Sequence, residues 1–183
     1  MTAMTLLNRV AVPNWVEEGA FFSDAEHRIW LRRRLGMFGV PVAFILHNPS
    51  TASFVENDPT VRRGIGFAAS LGASDLIFVN AATGVATNAD QLADMDDPIG
   101  PMADEALRVA AEFCLSRGGM LIAAWGAPKG KVRTRRLMEA RFQEIARMGL
   151  PLHVLRLTSS GYPEHPLYLP ASLRPVPWTY HPE

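Results

Sequence analysis

This 183-residue chain has very little cysteine: Cys114 is the single one. One thiol excludes an intramolecular disulfide and any zinc or iron–sulfur centre held by cysteine pairs. An excess of either charge is missing as well. Its 18 basic residues meet 18 acidic ones, so attraction to nucleic acid or membrane must come from local clusters. No apolar run approaches the ~20 residues of a membrane span. The opening MTAMTLLNRVAVPNW lacks the basic segment and sustained apolar stretch of a secretory leader. The expectation is a cytoplasmic protein with no membrane partner. Nothing in the sequence speaks to oligomeric state.

About half of the residues are hydrophobic, enough for a real core. The length suits one domain over 1–183, with residues 1–20 as an N-terminal extension and 171–183 as a proline-rich tail. Four apolar runs read as buried strands: Val40 to Leu46, Leu76 to Val79, Met120 to Trp125 and Leu152 to Leu157. His27 to Leu35 alternates imperfectly and reads as an edge strand, with a helix nearly as good. Asp58-Pro59 supplies a cap and a first-turn proline for a helix running to Leu71, with Gly72 as its stop. A second helix spans Met102 to Ser116 and places Ala103, Leu107, Ala110 and Cys114 on one stripe. A third covers Arg133 to Met148. From Tyr162 onward, prolines predict an irregular tail. Strands alternating with helices predict a three-layer α/β/α domain around a central, mostly parallel sheet.

Three segments stand out: FILHNPSTAS, FVNAATG and EHPLYLP. Two leave the ends of apolar runs, where open α/β sheets bind their ligands. Asn48, held by Pro49, can position a water or polar ligand, although Asn-Pro-Ser is equally a plain turn. Asn80 can merely satisfy loop backbone, or it can offer one donor and one acceptor to a base edge. His165 is a solvated loop histidine, or a donor to a developing anion if it faces a pocket. The basic stretch KGKVRTRR, with Lys129, Lys131 and Arg133, opens the third helix, and Arg62 and Arg63 follow the Asp58 cap. Each is an ordinary solvated face unless it meets phosphates. Gly126 to Lys131 is not a phosphate-binding P-loop, because the glycines are too close and Val132 replaces the required hydroxyl. Asp94, Asp96 and Asp97 read as a polar loop and Cys114 as a buried, inert thiol. No cofactor or metal is expected.

Asn48 to Ala52, Asp58-Pro59-Thr60 with Arg62-Arg63, Trp125-Gly126-Ala127 and His165 to Pro170 together resemble a bacterial and phage domain family of unknown function. More distantly, the order of strand-end motifs is similar to the uracil-DNA glycosylase superfamily. That resemblance implies a water-orienting role for Asn48, base reading by Asn80 and leaving-group stabilisation by His165. Ser50 stands in the region where uracil-specific enzymes carry a bulky tyrosine, so a larger base would be admitted. Phe54, in the same loop, joins the base-binding set. His47 departs from the glycine-containing entry and narrows backbone access.

The activity so implied is excision of a base from DNA by hydrolysis of its N-glycosidic bond. Arg62, Arg63, Lys129, Lys131 and Arg133 would hold phosphates. Two rivals remain: an enzyme acting on free nucleosides or nucleotides, and a base-binding module without catalysis.

Overall fold

The computed structural model describes residues 13, 15–50 and 56–180. Phe54 therefore lies outside the described residues, as does most of the expected N-terminal extension. One mixed seven-stranded sheet organises the rest. Its strands are β1 (Gly19–Phe22), β2 (Arg28–Arg34), β3 (Pro41–Leu46), β4 (Asp75–Asn80), β5 (Met120–Ala123), β6 (Leu152–Val154) and β7 (Val176–Trp178). Three helices complete the framework: α1 (Pro59–Ser70), α2 (Ala103–Leu115) and α3 (Val132–Ala146).

The order across the sheet is β1-β2-β4-β3-β5-β6-β7. The four central strands are parallel, whereas β2 joins β4, β1 joins β2 and β7 joins β6 in antiparallel fashion. The sheet is thus mixed rather than mostly parallel. Nor is β2 an edge: β1 covers it on one side and β4 on the other. Its alternation is imperfect because polar positions are buried and partnered. Arg32 sits 4.8 Å over the Phe113 ring and pairs with Asp75 at 2.8 Å, while Arg33 donates to Asn57 Oδ1 at 2.8 Å.

Period-two patterning sorts the core onto the two faces of the sheet. Ala43, Ile45, Ile77, Val79, Leu121 and Ala123 pack with residues of α2 and α3. Val42, Phe44, Leu46, Leu76, Phe78 and Ile122 pack instead with Val61, Phe67 and Ala68 of α1. Helix α1 starts where Asp58 caps it, its Oδ1 accepting from the Val61 amide at 2.8 Å. Gly64 lets α1 lie close to the sheet, since a Cβ there would overlap the Phe78 ring and sit 3.3 Å from Leu76 Cδ2.

The tail is more regular than its prolines suggest. Pro166–Tyr168 forms a short 3-10 turn packed on α1, and Val176–Trp178 pairs with β6. Proline is excluded from central strands but tolerated at an edge, which is where β7 places Pro177.

Candidate active site

The chain leaves β3 toward α1 on one face, but leaves β4 and β5 toward α2 and α3 on the other. Because β3 lies between β4 and β5, this divergence marks its carboxyl end as the position where open α/β sheets bind ligands. His47 and Asn48 follow β3 at that point, and Asn80 ends β4 beside Leu46 in register. On the other flank, Trp125 and Gly126 follow β5. Gly126 has φ +74°, a conformation that favours glycine. Its amide donates to Pro163 O at 2.8 Å, and a Cβ there would lie 3.5 Å from that of His165. The tail loop is thereby pinned to the end of β5, which brings His165 to the same edge.

Asn48 is fully engaged by the protein. Its Nδ2 donates to Pro49 O at 2.9 Å and to Ala86 O at 2.8 Å. Those two carbonyls fix the amide orientation, so Oδ1 must face His47 Nδ1 at 2.9 Å as an acceptor. His47 therefore carries its proton on Nδ1, and its Nε2 presents a bare lone pair. Burial pushes its pKa down to about 4; the Asn48 bond opposes this and the Lys129 charge adds to it. The ring is neutral at pH 7 and lies edge-on to Phe142, 5.5 Å between centroids.

His165 has the opposite tautomer. Its Nδ1 accepts from the Leu167 amide at 3.3 Å, leaving the proton on Nε2. Its pKa is also lowered to about 4, by burial first and then by Lys129 and His47, with Asp58 opposing. Two uncharged imidazoles within electrostatic reach of each other thus present one acceptor and one donor.

Three buried polar atoms at the ends of adjacent parallel strands lack a partner among the described residues: His47 Nε2, Asn80 Oδ1 and Trp125 Nε1. Orphaned atoms of this kind are rare in folded proteins and mark strain or function. None of the three touches solvent, so a ligand reaches them only when their cover shifts. Asn80 continues the alternation of Leu76 and Phe78 toward α1, whereas His47 follows Ala43 and Ile45 toward α3.

The cations expected to bind phosphate come from α1 and from the approach and first turn of α3. Arg62 is exposed on α1 and donates to Asn57 O. Arg63 donates to Leu169 O and lies 5.1 Å over the Phe67 ring, tying the tail to α1. Exposed Lys129 sits 5.6 Å from the Tyr168 ring centre, beside both histidines. Lys131 and Arg133 stand exposed at the start of α3, and Ser50 is half-buried at the start of its loop. Sequence reasoning gave His47 no chemical role. The signal was its place one step past β3, on the buried phase of the alternation and next to a carboxamide.

Residues 28–167 match a family model described as Protein of unknown function (DUF1643). The chain belongs to this family. The matched stretch opens at the first residue of β2 and closes two residues past His165. It contains His47, Asn48, Asn80, Trp125, Lys129 and His165 and leaves out β1 and β7. No curated protein and no solved structure matches the chain.

Proposed function

We propose that the protein hydrolyses the N-glycosidic bond of a nucleobase in DNA. The observation that carries this reading is the pair of neutral histidines with opposed protonation at the carboxyl edge. In the proposed reaction the C1′–N bond breaks and its electron pair leaves with the base. His165 Nε2–H donates to that developing anion. Water adds its oxygen to C1′ and releases a proton toward His47 Nε2, giving a sugar hydroxyl and, after protonation, the free base. A base with so low a pKa extracts little from water in advance, which suits attack on an already electron-poor carbon.

Asn48 acts here as a positioning residue for His47 rather than as the water holder itself. Asn80 Oδ1 would accept from an N–H on the flipped base, the exposure that chemistry on a stacked base requires. Helices packed on both sheet faces and the order of strand-end motifs support the likeness to the uracil-DNA glycosylase type. Arg62, Lys129, Lys131 and Arg133, all exposed, would meet phosphates.

The test is incubation with oligonucleotides carrying uracil, deaminated purines or modified pyrimidines, followed by strand scission at abasic sites. Release of one base is expected, with His165→Ala reducing the rate ~100–1,000-fold, as loss of an oxyanion donor does. Unchanged base release in both His165→Ala and His47→Ala rejects the assignment. The balanced charge of the chain favours a second reading, turnover of free nucleosides or nucleotides at the same residues. Activity on DNA falls steeply with added salt through counterion release, whereas nucleoside turnover does not.

A further inference from the structure

On the α3 side of β5 lies a cleft of about 440 Å³ that the chemistry above does not use. Tyr162, Trp178 and Tyr180, all half-buried, are among the rings that line it, with Phe142 and Trp125 behind. Trp125 stacks on Phe142 at 5.2 Å, and Trp178 meets Trp125 edge-on at 5.9 Å and Tyr180 at 6.2 Å. A second hollow of about 400 Å³ shares Glu139, Ser160 and Tyr162 with the first and adds exposed Arg135 and Arg136. Aromatic walls therefore run directly into a pair of guanidinium groups. Such sizes are those of small-molecule sites.

We propose that this continuous cleft binds a nucleotide, its base against Trp178, Tyr162 and Tyr180 and its phosphate on Arg135 and Arg136. Glu139 stands where the two hollows meet. Its carboxylate already accepts from the Tyr162 hydroxyl at 2.9 Å and suits an N–H-bearing base edge. Arg135 and Arg136 line only the second hollow, so the anionic group belongs at that end. Base–aromatic stacking is tolerant of sequence, so the same cleft accepts a free nucleotide or one nucleotide of a single strand. Neither needs bond cleavage at His47 and His165. The cleft is nonetheless adjacent to them, because Phe142 contacts the His47 ring and Pro163 lies two residues before His165.

The experiment follows the indole N–H signals of Trp125 and Trp178 by nuclear magnetic resonance on adding adenosine monophosphate, adenosine or a five-nucleotide single strand of adenylates. Saturable shifts of both signals are expected with the monophosphate, and binding ~10-fold weaker or more with adenosine. Arg135→Gln with Arg136→Gln, which alters only exposed side chains, brings the monophosphate down to the affinity of adenosine. Trp178→Ala weakens all three probes ~5–100-fold. Tighter binding of the strand than of the monophosphate identifies a strand as the source, and equal binding identifies the free nucleotide. Absent shifts, or affinities untouched by both the arginine and the Trp178 variants, overturn the proposal. His165→Ala leaves this binding intact, so failure of the glycosidic reading is separately visible.

Discussion

Asn48 Oδ1, 2.9 Å from His47 Nδ1, dictates which nitrogen of that imidazole carries the proton. The carboxamide cannot rotate to offer its nitrogen instead, because Pro49 O and Ala86 O already hold it. A residue that reads in the sequence as a positioning amide has both ends of its carboxamide held by the protein, and it sets the tautomer of its neighbour.

Asn48→Asp should change His47 from a fixed neutral ring to a titrating one. A carboxylate at that distance favours the imidazolium, so the His47 pKa rises from about 4 toward or above its ordinary 6.5. Histidine-labelled nuclear magnetic resonance titration reads this directly. A pKa that stays near its wild-type position contradicts the tautomer assignment.

The histidines also divide the pH dependence of stability. His47 has a folded-state pKa below its unfolded value, so its stabilisation is complete above about 6.5 and is lost as pH falls toward 4. The size is at most on the order of 3 kcal/mol. His165 acts in the same direction over the same window. His27 works the other way. Burial opposes its charge, but Asp97 O at 2.7 Å and the Asp24 carboxylate at 2.8 Å outweigh that and raise its pKa. Its contribution is therefore full below about 6.5 and declines as pH rises through the raised value. Thermal midpoints recorded across this range should fall on the acid side in wild type. In His47→Gln the acid-side loss should be smaller, and in His27→Asn the alkaline-side decline should disappear.

Buried Arg141 holds the end of β4 in place. Its Nε donates to Ala81 O at 2.8 Å, one residue past Asn80, while its Nη1 reaches Glu144 at 3.2 Å and its Nη2 reaches Asp104. Arg141→Met should cost ~1–3 kcal/mol, chiefly by leaving a buried carbonyl unpaired. The two carboxylates are more than half exposed and rehydrate. Urea denaturation measures the loss, and a cost within error of zero refutes the strut.

Two glycines of α1 should respond in opposite ways. Gly64→Ala forces a Cβ against Phe78 and should destabilise by ~1–3 kcal/mol. Gly66→Ala meets nothing within 4 Å and should stabilise by ~0.5–1 kcal/mol through helix propensity. Equal effects in denaturant titrations would mean that α1 does not sit as close to the sheet as Gly64 implies.

The framework was readable where one physical signal dominated. Continuous apolar runs marked the four central strands, and Asp58-Pro59 marked the start of α1. The outer strands were not legible. Gly19–Phe22 has four residues and Val176–Trp178 three, one of them proline, and both depend on a neighbour already in the sheet. The arginines of β2 hid its central place, because their burial depends on Asp75, Asn57 and Phe113, far away in sequence. At the site, proximity of His165 to the β3 end was legible as a topological expectation. The division of donor and acceptor between two rings was not, since it rests on a loop amide at Leu167 and a distant carbonyl at Ala86.

Pro177, midway along the last strand, has no amide hydrogen to offer a further chain. A border without that donor gives a passing β-segment nothing to zip onto at its centre, which discourages self-association along this side. Trp178, next in the chain, can then present its indole to small solutes instead of being lost beneath another molecule.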